Sequence, residues 1–240
     1  MILIKTIIVF LYTFIVMLVF LPFGLLAFLL GYAGLRKPMS WVVYRMAQGW
    51  ARSLIFFTGC QMTVTGREHI PLKGSVCFTS NHVGIFDIIL ALAYIGRPFG
   101  FIAKKELLLL PFFNIWIYIL GGHFIDRKNI RKAVNTINLG IKKIKDGGAM
   151  LIFPEGTRSK GRGLLSFKSG AIKLATNSLA PIIPIAIYGS YEVFERQYKV
   201  HAVPVRLIFC PPIITETMSK EDRRANLADQ VRSVIEDALK

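Results

Sequence analysis

A histidine and an aspartate lie close together in an apolar part of the sequence. His82 follows the apolar run SVCFTS, Gly84 makes a turn easy, and Asp87 lies five residues after the histidine. This spacing suits a histidine on the loop that leaves a strand and an aspartate in the first turn of the next helix, where negative charge is favoured. A neutral imidazole held by a carboxylate is a general base near neutral pH. The spacing therefore indicates proton abstraction, although a core histidine followed by a helix-start aspartate explains the pair equally well.

A second polar loop follows another apolar run. The sequence LIFPEGTRS places Glu155, Gly156 and Arg158 directly after a strand-like segment. In open α/β sheets, ligands bind beyond the carboxyl ends of the strands. Glycine lets backbone N–H groups approach a phosphate, and an arginine can donate two hydrogen bonds to it. The loop is therefore a candidate phosphate site in the same cleft as His82. The alternative is a polar turn with a structural Glu–Arg pair.

Four blocks in chain order share a combination of residues that is far more specific than any one of them. The blocks are NHVGIFD (81–87), GGHFIDR (121–127), FPEGTRS (153–159) and PIIPIAI (181–187). Together with AKKEL (103–107), they resemble the glycerolipid acyltransferase family, specifically its bacterial 1-acyl-glycerol-3-phosphate acyltransferases. One departure is Gly84, where family members often carry Ser or Thr. The missing hydroxyl would cap the following helix, so the departure predicts lower local stability rather than loss of the base.

The resemblance implies a mechanism and a site. His82 would deprotonate the free hydroxyl of lysophosphatidate, and Asp87 would orient His82. The oxygen would then attack the thioester carbonyl of a co-substrate, acyl-CoA or acyl carrier protein, and no metal or other cofactor is implied. The residues expected to bind glycerol-phosphate are Glu155, Gly156, Arg158, Arg127 and Lys105. The residues expected to support the motifs are Asn81, Gly84, Thr157 and Pro184.

Three other functions fit parts of the sequence. The same chemistry on another acceptor would use glycerol-3-phosphate, a lysophospholipid or an acylated saccharide lipid. A non-catalytic membrane-binding relative would keep the fold, but the intact motif residues argue against it. A metal-dependent lipid hydrolase would use His82, His123, Asp87 and Asp126, which lack a convincing ligand spacing.

The composition favours a lipid bilayer as the anionic partner. The 240-residue chain is 53% hydrophobic and has a net charge of +16. Basic proteins bind nucleic acid or anionic membranes, and the sequence carries no nucleic-acid-binding motif. Twelve Lys and Arg residues, against two acidic residues, lie between Arg127 and Lys173 and bracket the candidate site. The three scattered cysteines argue against zinc sites and disulfides, which fits a reducing compartment.

The amino-terminal part of the chain predicts a membrane anchor of two helices over residues 1–58. Residues 6–35 contain no charged side chain and are long enough to cross a bilayer. Pro22 and Gly24 favour either one kinked span or a re-entrant pair of half-helices. The alternative without membrane contact is a buried pair of core helices. The excess of basic residues after the apolar run favours the inner membrane, with the catalytic domain on its cytoplasmic face.

Residues 59–240 predict an α/β catalytic domain with a mixed, largely parallel sheet flanked by helices. Apolar runs predict strands at SVCFTS, PFGFIA, HFID, AMLIF, PIIPIAIY and VPVRLIF. Helical spacing predicts a helix from Ile130 to Gly147, and Ser219 with Asp222 predicts a capped closing helix. The apolar run 107–120 enters the bilayer, lines an acyl channel or forms an ordinary buried segment.

Overall fold

A seven-stranded sheet lies at the centre of the molecule. The structure is a computed structural model that describes residues 2–240, without the side chain of Ser169. The strands are β1 Gln61–Thr65, β2 Val76–Ser80, β3 Gly100–Lys104, β4 His123–Ile125, β5 Ala149–Ile152, β6 Ile182–Tyr188 and β7 Pro204–Phe209. Their order is β1-β7-β6-β2-β5-β3-β4, and neighbours are parallel except β6 and β7. The predicted mixed, largely parallel sheet is confirmed.

Helices cover both faces of this sheet. Within the described range they are α1 Ile2–Leu30, α2 Arg36–Thr58, α3 Phe86–Tyr94, α4 Phe113–Ile119, α5 Ile130–Lys145, α6 Ser169–Ser178, α7 Ser190–Val193, α8 Lys220–Ala225 and α9 Leu227–Leu239. Residues of α2 and α3 form one apolar core with the sheet, and residues of α5, α6 and α9 form the other. The flanking helices expected from the sequence are therefore present on both sides.

The central strands are buried on both faces, so their side chains alternate between the two cores. Phe78 and Leu151 pack on the α2–α3 side, whereas Cys77 and Met150 pack on the α5–α6 side. Doubly buried strands give continuous apolar runs in the sequence, which explains why β2 and β5 were predicted. The edge strand β1 has partly exposed, alternating side chains and no apolar run, and the sequence did not reveal it.

The two amino-terminal helices form a hairpin. α1 continues through Pro22, and the chain reverses at Gly31–Leu35, where Gly34 has a φ of 96°. The ammonium group of Lys5 donates a hydrogen bond to the carbonyl of Thr58 over 2.6 Å, which places the start of α1 beside the end of α2. The interpretation of two half-helices divided at Pro22 and Gly24 is therefore wrong, because the glycine with a positive φ makes the turn.

The two helices of the hairpin differ in burial. Ala47, Ala51 and Leu54 of α2 are buried in the same core as the central strands, and the amide of Gln48 donates to the carbonyl of Ala93. Only 11% of the most apolar window of the hairpin is buried. The core-helix alternative thus describes α2 and not α1. The assignment of residues 1–58 to an anchoring domain stays a prediction about function.

The segment 107–120 is not an ordinary buried segment. Leu109 is 82% exposed, and its apolar neighbours up to Phe113 are exposed as well. The segment is fixed to α1 at its far end, where the indole N–H of Trp116 donates to the carbonyl of Met17 over 3.2 Å. Gly24 leaves room for the Trp116 ring on α1, since a Cβ there would lie 3.0 Å from the ring.

The end of the chain forms two helices instead of the single closing helix expected from the sequence. The Ser219 hydroxyl accepts a hydrogen bond from the Asp222 N–H over 3.0 Å, which caps α8 as the capping-box pattern predicts. α8 ends before Asn226, and α9 then packs Leu227 and Val231 into the core.

Candidate active site

The polar loops meet at one edge of the sheet. Strands β2, β3, β4, β5 and β6 run in parallel, so their carboxyl ends lie on the same edge. His82 follows β2, Lys105 follows β3, Arg127 follows β4 and Glu155 follows β5. The structure therefore gathers on one edge four residues that are spread over 73 positions of the sequence, from His82 to Glu155.

His82 and Asp87 are in direct contact. The Nδ1 atom of His82 lies 2.7 Å from Oδ2 of Asp87. The imidazole is also stacked on the Phe153 ring, with 4.1 Å between ring centroids and 20° between planes. The histidine side chain is 20% exposed, while the aspartate side chain is fully buried. The ring is thus held on one nitrogen and one face, and its other nitrogen is directed away from the Asp87 carboxylate.

The Asp87 carboxylate has hydrogen-bond donors on both oxygens. Oδ2 also accepts from the N–H groups of Val83 over 2.7 Å and Gly84 over 3.0 Å. Oδ1 accepts from the hydroxyl of Ser190, which begins α7 after β6. Since all four neighbours donate, the carboxylate is fixed in one orientation. Ser190 was missed by the sequence analysis, because it lies 103 residues from Asp87 and belongs to no recognisable spacing.

The Glu155 carboxylate joins the two polar loops. Oε1 accepts from the N–H of His82 over 2.7 Å, and Oε2 accepts from the N–H of Leu165 over 3.3 Å. The residue is only 2% exposed, and burial raises the pKa of its carboxyl group. Its carboxylate therefore holds the His82 loop in place. The expected contact between Glu155 and glycerol-phosphate stays a prediction, because both carboxylate oxygens already accept hydrogen bonds from backbone N–H groups.

Gly156 occupies a position that requires glycine. Its φ is 69°, in the left-handed region, and an added Cβ would lie 3.2 Å from the side chain of Lys168. The guanidinium of Arg127 donates a hydrogen bond to the carbonyl of Gly156, and Thr157 is exposed beside it. Two cations therefore lie beside this turn, and Lys168 was not among the residues expected from the sequence.

The remaining two basic candidates are each paired with an acid. Nη1 of Arg158 donates to the carboxylate of Glu195, and the arginine side chain is 39% exposed. Nζ of Lys105 lies 2.8 Å from Oδ2 of Asp126, and this hydrogen bond raises the pKa of the lysine and lowers that of the aspartate. Arg158 belongs to the same loop as Glu155, whereas Lys105 belongs to the β3–β4 side of the edge.

Comparisons with known proteins agree with this geometry. The profile of the family described as Acyltransferase matches residues 61–188. The 1-acyl-sn-glycerol-3-phosphate acyltransferase of Borreliella burgdorferi is 32% identical over 181 residues, which cover 75% of this chain and 72% of that protein. The chain belongs to the acyltransferase family. The expectation that it is an acyltransferase enzyme is therefore confirmed.

Two more comparisons support the family assignment. The Escherichia coli protein named 1-acyl-sn-glycerol-3-phosphate acyltransferase is 34% identical over 167 residues, covering 69% of this chain and 67% of its own length. A crystal structure of the 1-acyl-sn-glycerophosphate acyltransferase of Thermotoga maritima has a TM-score of 0.81 and 26% identity. It covers 100% of this chain and 96% of the other, so the similarity includes the amino-terminal hairpin of this acyltransferase.

Two motif residues of this acyltransferase lie where strands β2 and β6 pair. The Asn81 side chain donates to the carbonyl of Ile187 over 2.9 Å and accepts from its N–H over 2.8 Å. It thereby extends the pairing of β2 with β6. Pro184 lies within β6 opposite Thr79. Asn81 therefore fixes the end of β2 that carries the His82 loop.

The four residues of the hydrolase hypothesis do not form one group, although His82 and Asp87 are in contact. His123 lies at the amino-terminal end of β4, whereas His82 follows the carboxyl end of β2. Asp126 is paired with Lys105. Across residues 2–240, no three His, Cys, Asp or Glu side chains are grouped as metal ligands would be. The residues named for a metal-dependent hydrolase therefore do not form a common site.

Proposed function

We propose that this acyltransferase is membrane-bound and transfers a fatty acyl chain from acyl-CoA or acyl carrier protein to the sn-2 hydroxyl of lysophosphatidate. The product would be phosphatidate, an intermediate of phospholipid synthesis. The observation that carries the proposal is the His82–Asp87 contact at an edge lined by Arg127, Arg158 and Lys168. A general base beside several cationic side chains suits an acceptor that has both a hydroxyl and a phosphate.

The proposed reaction is a direct transfer. Nε2 of His82 takes the proton of the acceptor hydroxyl while Nδ1–H stays bonded to Asp87. The hydroxyl oxygen forms a bond to the thioester carbonyl carbon, and the bond from that carbon to sulfur breaks. The imidazolium then returns its proton to the leaving thiolate, so the enzyme is unchanged after one turnover. Asp87 stabilises the transient imidazolium through its negative charge.

The acceptor phosphate is assigned to the basic groups of the 153–159 loop and its neighbours. Arg158 is partly exposed and uses only Nη1 for Glu195 within the described contacts, so other N–H donors of its guanidinium are available. Arg127 and Lys168 lie beside Gly156. A dianionic phosphate gains most from such charge-assisted hydrogen bonds. Lys105, which follows β3 on the same edge, is a further candidate.

Arg158→Ala is expected to raise the KM for lysophosphatidate by about 10–100-fold, because it removes a charge-assisted contact of roughly 1.5–3 kcal/mol. The KM for the acyl donor should change much less. Purified enzyme is assayed with one donor and a panel of lysophosphatidate, glycerol-3-phosphate and lysophosphatidylcholine. Preference for another acceptor would correct the substrate, and a larger change in the donor KM would show that the two subsites are exchanged.

The apolar surface of the hairpin and the 107–113 segment supports membrane binding. α1 exposes most of its apolar side chains, and the hairpin contains a window long and apolar enough to cross a bilayer. Phe14 of α1 contacts the Phe112 ring, with 5.7 Å between centroids. The exposed residues of α1 therefore continue into Leu109 and its neighbours. An apolar surface of this extent needs a lipid or protein partner, and we assign it to the cytoplasmic face of the inner membrane.

We expect high salt to leave the full-length protein on vesicles, since salt screens charges but does not weaken apolar insertion. Leu109→Asp should lower the vesicle partition coefficient about tenfold, through loss of one buried leucine. Leu72→Asp is the matched control, because Leu72 is similarly exposed but lies on the loop before β2. Flotation with anionic vesicles measures both. Complete release by salt would show an electrostatic attachment, and equal effects of the two variants would exclude a specific role for the 107–113 segment.

A further inference from the structure

Glu195 belongs to none of the four sequence blocks, but it contacts both polar loops of the site. It follows α7, in the segment after β6, and its side chain is 12% exposed. One carboxylate oxygen accepts from Nη1 of Arg158, and the other accepts from the N–H of Ile85. Ile85 precedes α3, the helix that carries Asp87. The carboxylate therefore lies between the start of the catalytic helix and the arginine assigned to the phosphate.

Gly84 makes the room that the Glu195 carboxylate occupies. An added Cβ at this position would lie 2.8 Å from Oε2 of Glu195 and 3.1 Å from Cα of Tyr191. Gly84 is not among the glycines with a positive φ, so what distinguishes it is the space that it leaves for Glu195 and not its backbone conformation. The lower local stability expected from the missing hydroxyl stays a prediction, and the structure adds another acceptor at the start of α3. The Glu195 carboxylate binds a free N–H at the helix start, where negative charge is also favoured.

The ion pair restricts the conformations of Arg158. This arginine belongs to the polar loop between β5 and α6, and its side chain is more than one third exposed. An arginine without a partner at such a place loses several rotatable bonds when it binds a ligand. Fixing a side chain in its bound conformation before the ligand arrives increases affinity. Glu195 engages one of the five guanidinium donors and leaves the others for a phosphate.

We propose that Glu195 is a positioning residue that holds Arg158 beside the His82–Asp87 pair for recognition of the acceptor phosphate. The proposal rests on the proposed function, since it takes Arg158 as the phosphate ligand. It predicts a role in acceptor affinity and not in proton transfer, because the Glu195 carboxylate contacts Arg158 and Ile85 and neither His82 nor Asp87 among the described hydrogen bonds.

Glu195→Ala is expected to raise the KM for lysophosphatidate about tenfold, the upper range for immobilising one flexible side chain. The donor KM and the kcat should stay within about twofold of the unmodified enzyme. Glu192→Ala is the control, because Glu192 lies three positions earlier and forms an exposed ion pair with Arg196. The control should leave all three constants unchanged. Glu195→Gln keeps an oxygen that accepts from Arg158 and should give a smaller rise than Glu195→Ala.

A double-variant cycle separates this proposal from the proposed function. If Arg158→Ala leaves the KM for lysophosphatidate unchanged, the assignment of Arg158 fails whatever Glu195 does. If Arg158→Ala raises that KM, then Glu195→Ala in the Arg158→Ala background should add no further rise. The same rise in both backgrounds, or a fall in KM in the single variant, would overturn the positioning role. Thermal unfolding is measured for each variant. If Glu195→Ala does not fold, the cycle is run with Glu195→Gln, whose smaller rise in KM should likewise disappear in the Arg158→Ala background.

Discussion

Replacing His82 with alanine is expected to lower acyl transfer by about 10²–10⁴-fold, the contribution of a positioned general base. In the proposed mechanism the imidazole is the base, and the structure holds its Nδ1 atom against Asp87 and its ring on Phe153. The fold should persist, since the side chain is partly exposed and its backbone contacts with Glu155 and Ser159 do not depend on the ring. Initial rates with saturating lysophosphatidate and acyl donor measure the loss, and flotation confirms that vesicle binding is unchanged.

His69→Ala is the matched control for this variant. The Nδ1–H group of His69 also makes a hydrogen bond, which it donates to the carbonyl of Phe209 over 2.8 Å, but the residue follows β1 at the other side of the sheet. Its loss should leave kcat unchanged. Near-normal turnover of His82→Ala would contradict the mechanism outright.

Direct transfer excludes a covalent acyl-enzyme, and the residues near His82 agree with this. Cys77 is fully buried, and burial raises the pKa of its thiol to about 12. The Ser80 hydroxyl is buried and donates to the carbonyl of Asn81. Neither group is prepared as a nucleophile. The intact-protein mass should therefore stay constant when the enzyme is mixed with acyl donor alone. A stoichiometric gain of one acyl chain, removed by lysophosphatidate, would make His82 the activator of a protein nucleophile.

The central strands could be predicted because strands that are buried on both faces consist of apolar residues. Strands such as β2 and β5 are covered on both faces and therefore read as apolar runs that end at polar loops. The edge strand β1 leaves no such run. The sequence did not reveal the reversal at Gly34, and it favoured a kink or a break at Pro22. A long apolar helix can accommodate a proline that intrinsic helix propensity disfavours.

The contact between His82 and Asp87 could be predicted for a different reason. His82 and Asp87 are five residues apart on one strand–loop–helix connection, so local geometry alone brings them together. Ser190 and Glu195 lie more than one hundred residues from their partners Asp87 and Ile85. They reach the site only because β6 pairs with β2 and delivers the following segment to the same edge. A serine and a glutamate after an apolar strand carry no spacing signal, so this half of the site required the structure.

Asp87→Asn is expected to lower kcat by about 10²–10³-fold, less than the roughly 10⁴-fold loss that a wrong histidine tautomer causes in a hydrolase triad. The difference follows from the donors around the carboxylate. The N–H groups of Val83 and Gly84 point at the Oδ2 position, so the amide oxygen of asparagine should occupy it and still accept from Nδ1 of His82. The amide nitrogen then faces the Ser190 hydroxyl, which can accept a hydrogen bond. The tautomer is retained, and the loss comes from the missing negative charge beside the imidazolium.

Kinetic measurements on Asp87→Asn can separate the loss of the negative charge from a change of the histidine tautomer. Asp87 is fully buried and contacts neither substrate in the proposed mechanism, so both KM values should stay near those of the unmodified enzyme while kcat falls. Asp87→Ala is the comparison, because it leaves buried N–H and O–H donors without an acceptor and should lower the free energy of unfolding by about 1–3 kcal/mol for each unsatisfied group. Asparagine should therefore retain more thermal stability than alanine. A loss of 10⁴-fold or more in Asp87→Asn would show that the amide has rotated and the tautomer has changed. Unchanged turnover would show that the charge of Asp87 does not act on the transition state.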